Sequence, residues 1–174
     1  MEFAKLVLRC LLLVAGFGGV LGAVSALVSP EVFTLGRPGA FGDLPAPVLG
    51  VLWGCLEFMM PGAVVGLAVA MAANVGERPA IKAMFYRKPL WAHVLFVAAI
   101  AAGAGLMGWF AVQNGHWEIL GPLAAAVPPE RHAAIGAVWW ASRGAHLANL
   151  VGGIALAVWT WKKRREFEAI VLGS

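Results

Sequence analysis

Long, sparsely charged apolar stretches recur along this 174-residue chain, and they constrain its fold more than any other feature. A helix rises 1.5 Å per residue, so about 20 residues carry it across the hydrocarbon core of a bilayer. Four runs reach that length, at about 4–28, 47–74, 90–113 and 133–161. Hydrophobic residues make up 61% of the chain and charged residues 13%. A soluble domain carries about 45–50% and about 25%. A soluble fold of this size cannot hide so much apolar surface, so the excess must face lipid. With no water to bond the backbone there, spanning segments are helices or a closed barrel. The apolar runs lack the two-residue alternation of a barrel. The expected fold is an all-α integral membrane protein, a four-transmembrane-helix bundle forming one domain over residues 1–174.

The net charge of +4 does not point to a nucleic-acid partner, because of where the charges fall. Lys5, Arg9, Arg78, Lys82, Arg87, Lys88 and Lys162 through Arg165 share one side of the four-span arrangement. Arg37 and Arg131 lie on the other, with Glu31, Asp43, Glu118 and Glu130. Basic loops stay inside, so both termini are expected in the cytoplasm and the chain in the cell (inner) membrane. The same basic residues can hold anionic headgroups of membrane lipids. The first run resembles a signal peptide in Lys5, Arg9 and the small residues near Ala23–Ala26, but it is read as a retained first span. Cys10 and Cys55 fall at different depths, which argues against a disulfide.

Small residues mark every span: Gly18 and Gly22, then Gly62, Gly66 and Ala70, then Ala101, Gly105, Ala104 and Gly108, and finally Gly144, Ala148 and Gly152. At four-residue spacing they let helix backbones approach closely, inside the chain or against a partner. Residues 29–46 carry turn-forming Pro30, Gly36, Pro38, Gly39, Gly42 and Pro45. Residues 76–89 suggest a short interfacial helix after Pro79. Residues 114–131, with Trp117, Ile119, Leu120 and Leu123, are expected to lie flat in the interface. Trp53, Trp91, Trp109, Trp117, Trp139, Trp159 and Trp161 suit aromatic belts in most cases. The tail 162–174 is basic, then amphipathic through Phe167, Ile170 and Val171, and reads as an end resting on headgroups or a segment docking a partner.

Charges inside a membrane are costly and mark functional sites. Glu57 lies ten residues after Pro47 and Arg143 ten after Ala133, each about 15 Å deep on the same side. The two are expected to meet, with His146 and Asn149 extending a polar cluster inward. Pro61 cannot donate to the Glu57 carbonyl, which leaves a free oxygen beside the carboxylate. Ser142, Arg143, His146, Asn149 and Gly153 share one arc of the last helix, and such a stripe faces protein or a cavity. His146 could ligate a chlorin or haem singly. His93 is expected roughly 18 Å from it in depth, too far for the two to clamp one haem. His116 and His132, with Glu118 and Glu130, lack a metal spacing signature, so no metal is assigned.

The string from Arg143 to Asn149 resembles the Arg-Ala-His-x-Asn helix of membrane glutathione-linked enzymes, but its spacing differs and it lies in the last helix, not the second. Span 2, with Leu56-Glu57-Phe58 and its glycines, is similar to the second span of DoxX-type proteins, whose pattern the other spans lack. Neither carries a function here. No catalytic residue, nucleophile–base pair or phosphate loop is visible. The expectation is a small polytopic subunit packing with other membrane subunits, or as a homo-oligomer, and helping to hold lipid, quinone or pigment. The alternatives are an oligomeric transporter or proton conductor built on Glu57, Arg143 and His146, and a membrane enzyme acting on a lipid-soluble substrate.

Overall fold

Backbone groups that cannot bond water satisfy one another along helices, and helices account for most of the described residues. The computed structural model describes residues 2–36, 41–76 and 82–172, with no strand among them. Expectations resting on Arg37, Pro38, Gly39, Arg78 and Pro79 fall outside the described residues. The helices are α1 (Glu2–Val28), α2 (Glu31–Thr34), α3 (Ala46–Asn74), α4 (Arg87–Gln113), α5 (Pro122–Ala126) and α6 (His132–Leu172). Short 3-10 turns, Ala83–Tyr86 and Pro129–Arg131, lead into α4 and α6. Among the described residues, three helices are long and apolar enough to cross a membrane: α1, α3 and the stretch Met84–Gln113. The fourth long helix, α6, runs 41 residues and continues beyond Trp161.

Glycine sets the packing of α1 on α3. A Cβ on Gly22 would overlap the Gly50 carbonyl, and one on Gly54 would overlap that of Gly18. These backbones touch, as small-residue helix faces allow. Gly62 rests on Leu11 and Val14, and Gly66 on Val7 and Cys10. The second pair, α4 with α6, uses the same device: Gly108 abuts the Gly136 carbonyl and Trp140, Gly144 meets Ala104, and Gly152 meets His93. The pairs join through α3 and α6, where Gly153 lies on Val65. The small-residue faces considered for outside partners are thus used inside the chain. Gly16 and Gly103 face outward with nothing within 4 Å.

The long helices form a bent row in the order α1, α3, α6, α4, and α1 scarcely touches α4. Leu6, Cys10, Tyr86, Leu90 and Leu156 close one end of the bundle, here called the tail end. Val14, Phe58, Val97 and Ala145 fill the middle. Phe33, Leu49, Ile119, Val127 and Ile135 fill the other, the α2 end. At the tail end Arg164 is 2% exposed. Its Nη1 donates to the carbonyls of Val75 at 2.7 Å and Ala72 at 3.1 Å. Those oxygens belong to the close of α3, which has no further turn to bond them.

The α2 end is tied by Arg131, whose Nε and Nη2 donate to the two Glu31 oxygens at 3.0 and 3.2 Å. Burial alone would raise the Glu31 carboxyl; bonds from Arg131, its own backbone and Ser29, with the Arg131 charge, hold it below the ordinary value of 4.5. Trp117 packs on Trp139 and Trp140, with ring centroids 6.0 and 5.7 Å apart. With the buried Ile119 it joins the core at this end. Trp91, Trp159 and Trp161 remain exposed on the helix surface.

Candidate functional site

The glycines that draw α1 onto α3 also leave space beside them, toward α6. A cavity of about 230 Å³ lies there. Gly18, Gly22 and Ser25 of α1 form one wall, and Gly54, Glu57 and Phe58 of α3 another. Val138, Trp139, Ser142 and Arg143 of α6 form the third, and Val32 and Phe33 of α2 also line it. Glu57 and Arg143, expected to meet on grounds of depth, do line one cavity. Two hydroxyls, Ser25 and Ser142, share it. The Arg143 guanidinium sits over the Trp139 ring, 5.8 Å from its centroid, a cation–π contact that helps hold an arginine among apolar side chains. A carboxylate, a guanidinium and two hydroxyls can bind a polar headgroup, ordered water or a proton. Helix α3 runs unbroken through Pro61, one turn beyond Glu57.

The other two residues of the expected cluster go elsewhere. His146 stacks face-on against Phe58, with ring centroids 4.4 Å apart and planes 13° apart. Phe58 thus has the cavity on one side and His146 on another. Asn149 is buried and accepts a hydrogen bond from Nε2 of His93 at 2.9 Å. The depth expected for His93 therefore needs correction: it lies level with Asn149, one helical turn from His146. Counting from Lys162 as the inner end of the last helix gives that separation of roughly 18 Å. Helix α6 runs further, and the level pairings Tyr86 with Trp159 and His93 with Asn149 show its offset against α4. At the α2 end, His132 places Nε2 3.0 Å from the Val127 carbonyl and 3.2 Å from that of Ala124. Among the described residues no three of His, Cys, Asp and Glu converge as a metal would require.

Where α1 stands away from α4 a second space opens, an apolar groove of about 560 Å³. Val20 and Val24 of α1 face Ala98, Ala102 and Leu106 of α4 across it, with Ala137 and Ala141 of α6 behind. The groove and the charged cavity share Leu21, Ser25 and Val138 as walls. No family model, curated protein or solved structure matches this chain. What the site can do follows from its own chemistry, in which a charged cavity meets a groove with apolar walls. Sequence reasoning did not find the groove. Its one signal is the run of small residues on α4, at Ala98, Ala101, Ala102 and Gly105, which leaves a hollow beside the larger side chains of α1.

Proposed function

We propose that the protein is a small polytopic membrane subunit that holds one amphiphilic, lipid-soluble molecule, such as a lipid or a quinone. Its polar head would lie between Glu57 and Arg143 and its tail in the α1–α4 groove. The observation that carries this is the junction of the two spaces at Leu21, Ser25 and Val138. Ligand sites join apolar walls to a few placed polar groups. An intramembrane charge pair is costly unless its groups bond each other or a ligand. Helix α6 is the proposed fourth span, since it flanks α4 from Gly136 beside Gly108 to Trp159 beside Tyr86. Lys5, Arg9, Arg87, Lys88 and the α6 tail all belong to the tail end, which supports cytoplasmic termini by the positive-inside rule. The outward faces of α1 and α4 around Gly16 and Gly103 are where a partner subunit or second copy would pack.

Gentle-detergent purification, followed by identification of co-purifying chains and a visible to near-infrared spectrum, tests the subunit role. Stoichiometric partner chains support it. A monomer with neither partner nor bound amphiphile contradicts it. The second reading is a homo-oligomeric proton conductor, favoured by the same observation that Glu57 and Arg143 line one cavity. Proton uptake into liposomes that is lost in Glu57→Gln would favour conduction over holding.

A further inference from the structure

At the tail end, Leu6 and Cys10 of α1 pack with Tyr86 and Leu90 in one buried cluster. That cluster fixes the start of α4 beside the start of α1. Arg9 and Arg87, the sequence neighbours of Cys10 and Tyr86, come to line one pocket of about 400 Å³. Its other walls are Leu13, Met84, Leu90 and Trp91. Both arginines are exposed, and among the described residues no carboxylate bonds either guanidinium. Helices α1 and α4 both run from the tail end toward the middle of the bundle. Leu13 and Trp91 each follow their arginine by four residues, so each stands about 6 Å deeper on the same helix face. On both walls, then, a cation lies at the outer level and apolar surface lies one turn further in. The pocket shares no wall residue with the Glu57 cavity or the α1–α4 groove.

We propose that this pocket binds one phospholipid of net negative charge, its phosphate held between Arg9 and Arg87 and its acyl chains lying along Leu13 and Trp91. The planar fork of a guanidinium matches two phosphate oxygens, and two forks from different helices meet one anion. The apolar walls one turn deeper require that the anion carry a hydrocarbon body, which free phosphate lacks. A phosphatidylcholine also has a phosphate, but its ammonium adds a cation to a pocket that already holds two. The pocket therefore selects lipids without one, as basic pockets between spans do. The basic run from Lys162 to Arg165 can only spread charge along a single helix, whereas Arg9 and Arg87 bring theirs together from two. A phosphate bonded to both arginines ties α1 to α4, helices that scarcely touch each other. Because both arginines are exposed, the bound lipid exchanges with its neighbours in the bilayer. The site stands independently of the cavity at Glu57.

The test uses the full chain in neutral-detergent micelles with nitrogen-15 in its arginines. It is titrated with dioctanoyl phosphatidylglycerol, dioctanoyl phosphatidylcholine or inorganic phosphate. The guanidinium Nε signals of Arg9 and Arg87, assigned by their loss in Arg9→Gln and Arg87→Gln, should shift together and saturate with phosphatidylglycerol. Phosphatidylcholine and inorganic phosphate should each bind about tenfold or more weakly. Each arginine variant should weaken phosphatidylglycerol binding about tenfold, read on the arginine that remains, the value of one lost bond to a charged group. Lys162 is exposed and does not line the pocket, so Lys162→Gln removes the same charge from the same end and should weaken binding less than about twofold. An equal response to phosphatidylcholine would show no selection by charge, and an equal response to inorganic phosphate would show an anion site without a lipid. Either result overturns the proposal, as would a shift of only one arginine, or a Lys162→Gln loss as large as that of Arg9→Gln.

Discussion

Replacing Arg164 with methionine should destabilise the protein far more than the same change at its neighbour Arg165. Methionine keeps an unbranched apolar stem but loses the guanidinium, and with it the bonds to Val75 at 2.7 Å and Ala72 at 3.1 Å. A hydrogen bond to a charged group contributes about 1.5–3 kcal/mol, so two would contribute about 3–6 kcal/mol if fully desolvated. The carbonyls lie at a helix end, where water can replace part of that once the arginine is gone. The lost attraction between a cation and the negative end of α3 adds a few tenths. The expected loss is about 2–4 kcal/mol. Arg165 is exposed and only stacks over Trp161, 5.3 Å from the ring centroid, so its methionine variant should lose under about 1 kcal/mol. Unfolding by sodium dodecyl sulfate in mixed micelles, followed by tryptophan fluorescence, measures both. An Arg164→Met protein within about 0.5 kcal/mol of wild type, or one no worse than Arg165→Met, would show that Arg164 does not hold the end of α3.

Gly22→Leu should prevent α1 from packing on α3, because the Gly50 backbone in its path cannot turn aside as a side chain can. Gly16→Leu should leave the melting temperature unchanged and weaken only assembly, as size-exclusion chromatography would show. Glu31 has a lowered folded value, so its contribution is complete above about pH 4.5 and lost as pH falls through the folded value. Acid unfolding curves should show that loss in wild type and not in Glu31→Gln. Single cysteines at Gly121 and Lys82 test orientation: an impermeant thiol reagent added outside should label the first and spare the second, and the reverse pattern would invert the topology.

The long helices were legible because length and apolarity are properties of consecutive residues. Counting from helix ends gave Glu57 and Arg143 matched depths, and both line one cavity. The same counting misplaced His93, because α6 continues past Lys162 and the offset between α4 and α6 is set by packing at Gly108 and Gly152. Arg164 was hidden among four consecutive basic residues that look alike in sequence. Only the neighbouring end of α3 distinguishes it. Trp117 and Ile119 look interfacial in a loop, yet they pack on Trp139 and Trp140 and into the core at the α2 end. The glycine motifs correctly implied close packing but could not say that the partners lay within the chain.

Native mass spectrometry of the protein released from nanodiscs tests the central claim most directly, by comparing wild type with Ala102→Trp and with the double variant Glu57→Gln and Arg143→Gln. Ala102 is exposed on the wall of the α1–α4 groove, so tryptophan fills the groove without entering the core, and the double variant removes both charges while keeping side-chain size. Wild type should retain one amphiphilic molecule per chain, and both variants should fold yet release it. Wild type without any bound amphiphile, or both variants retaining it as wild type does, would contradict the account.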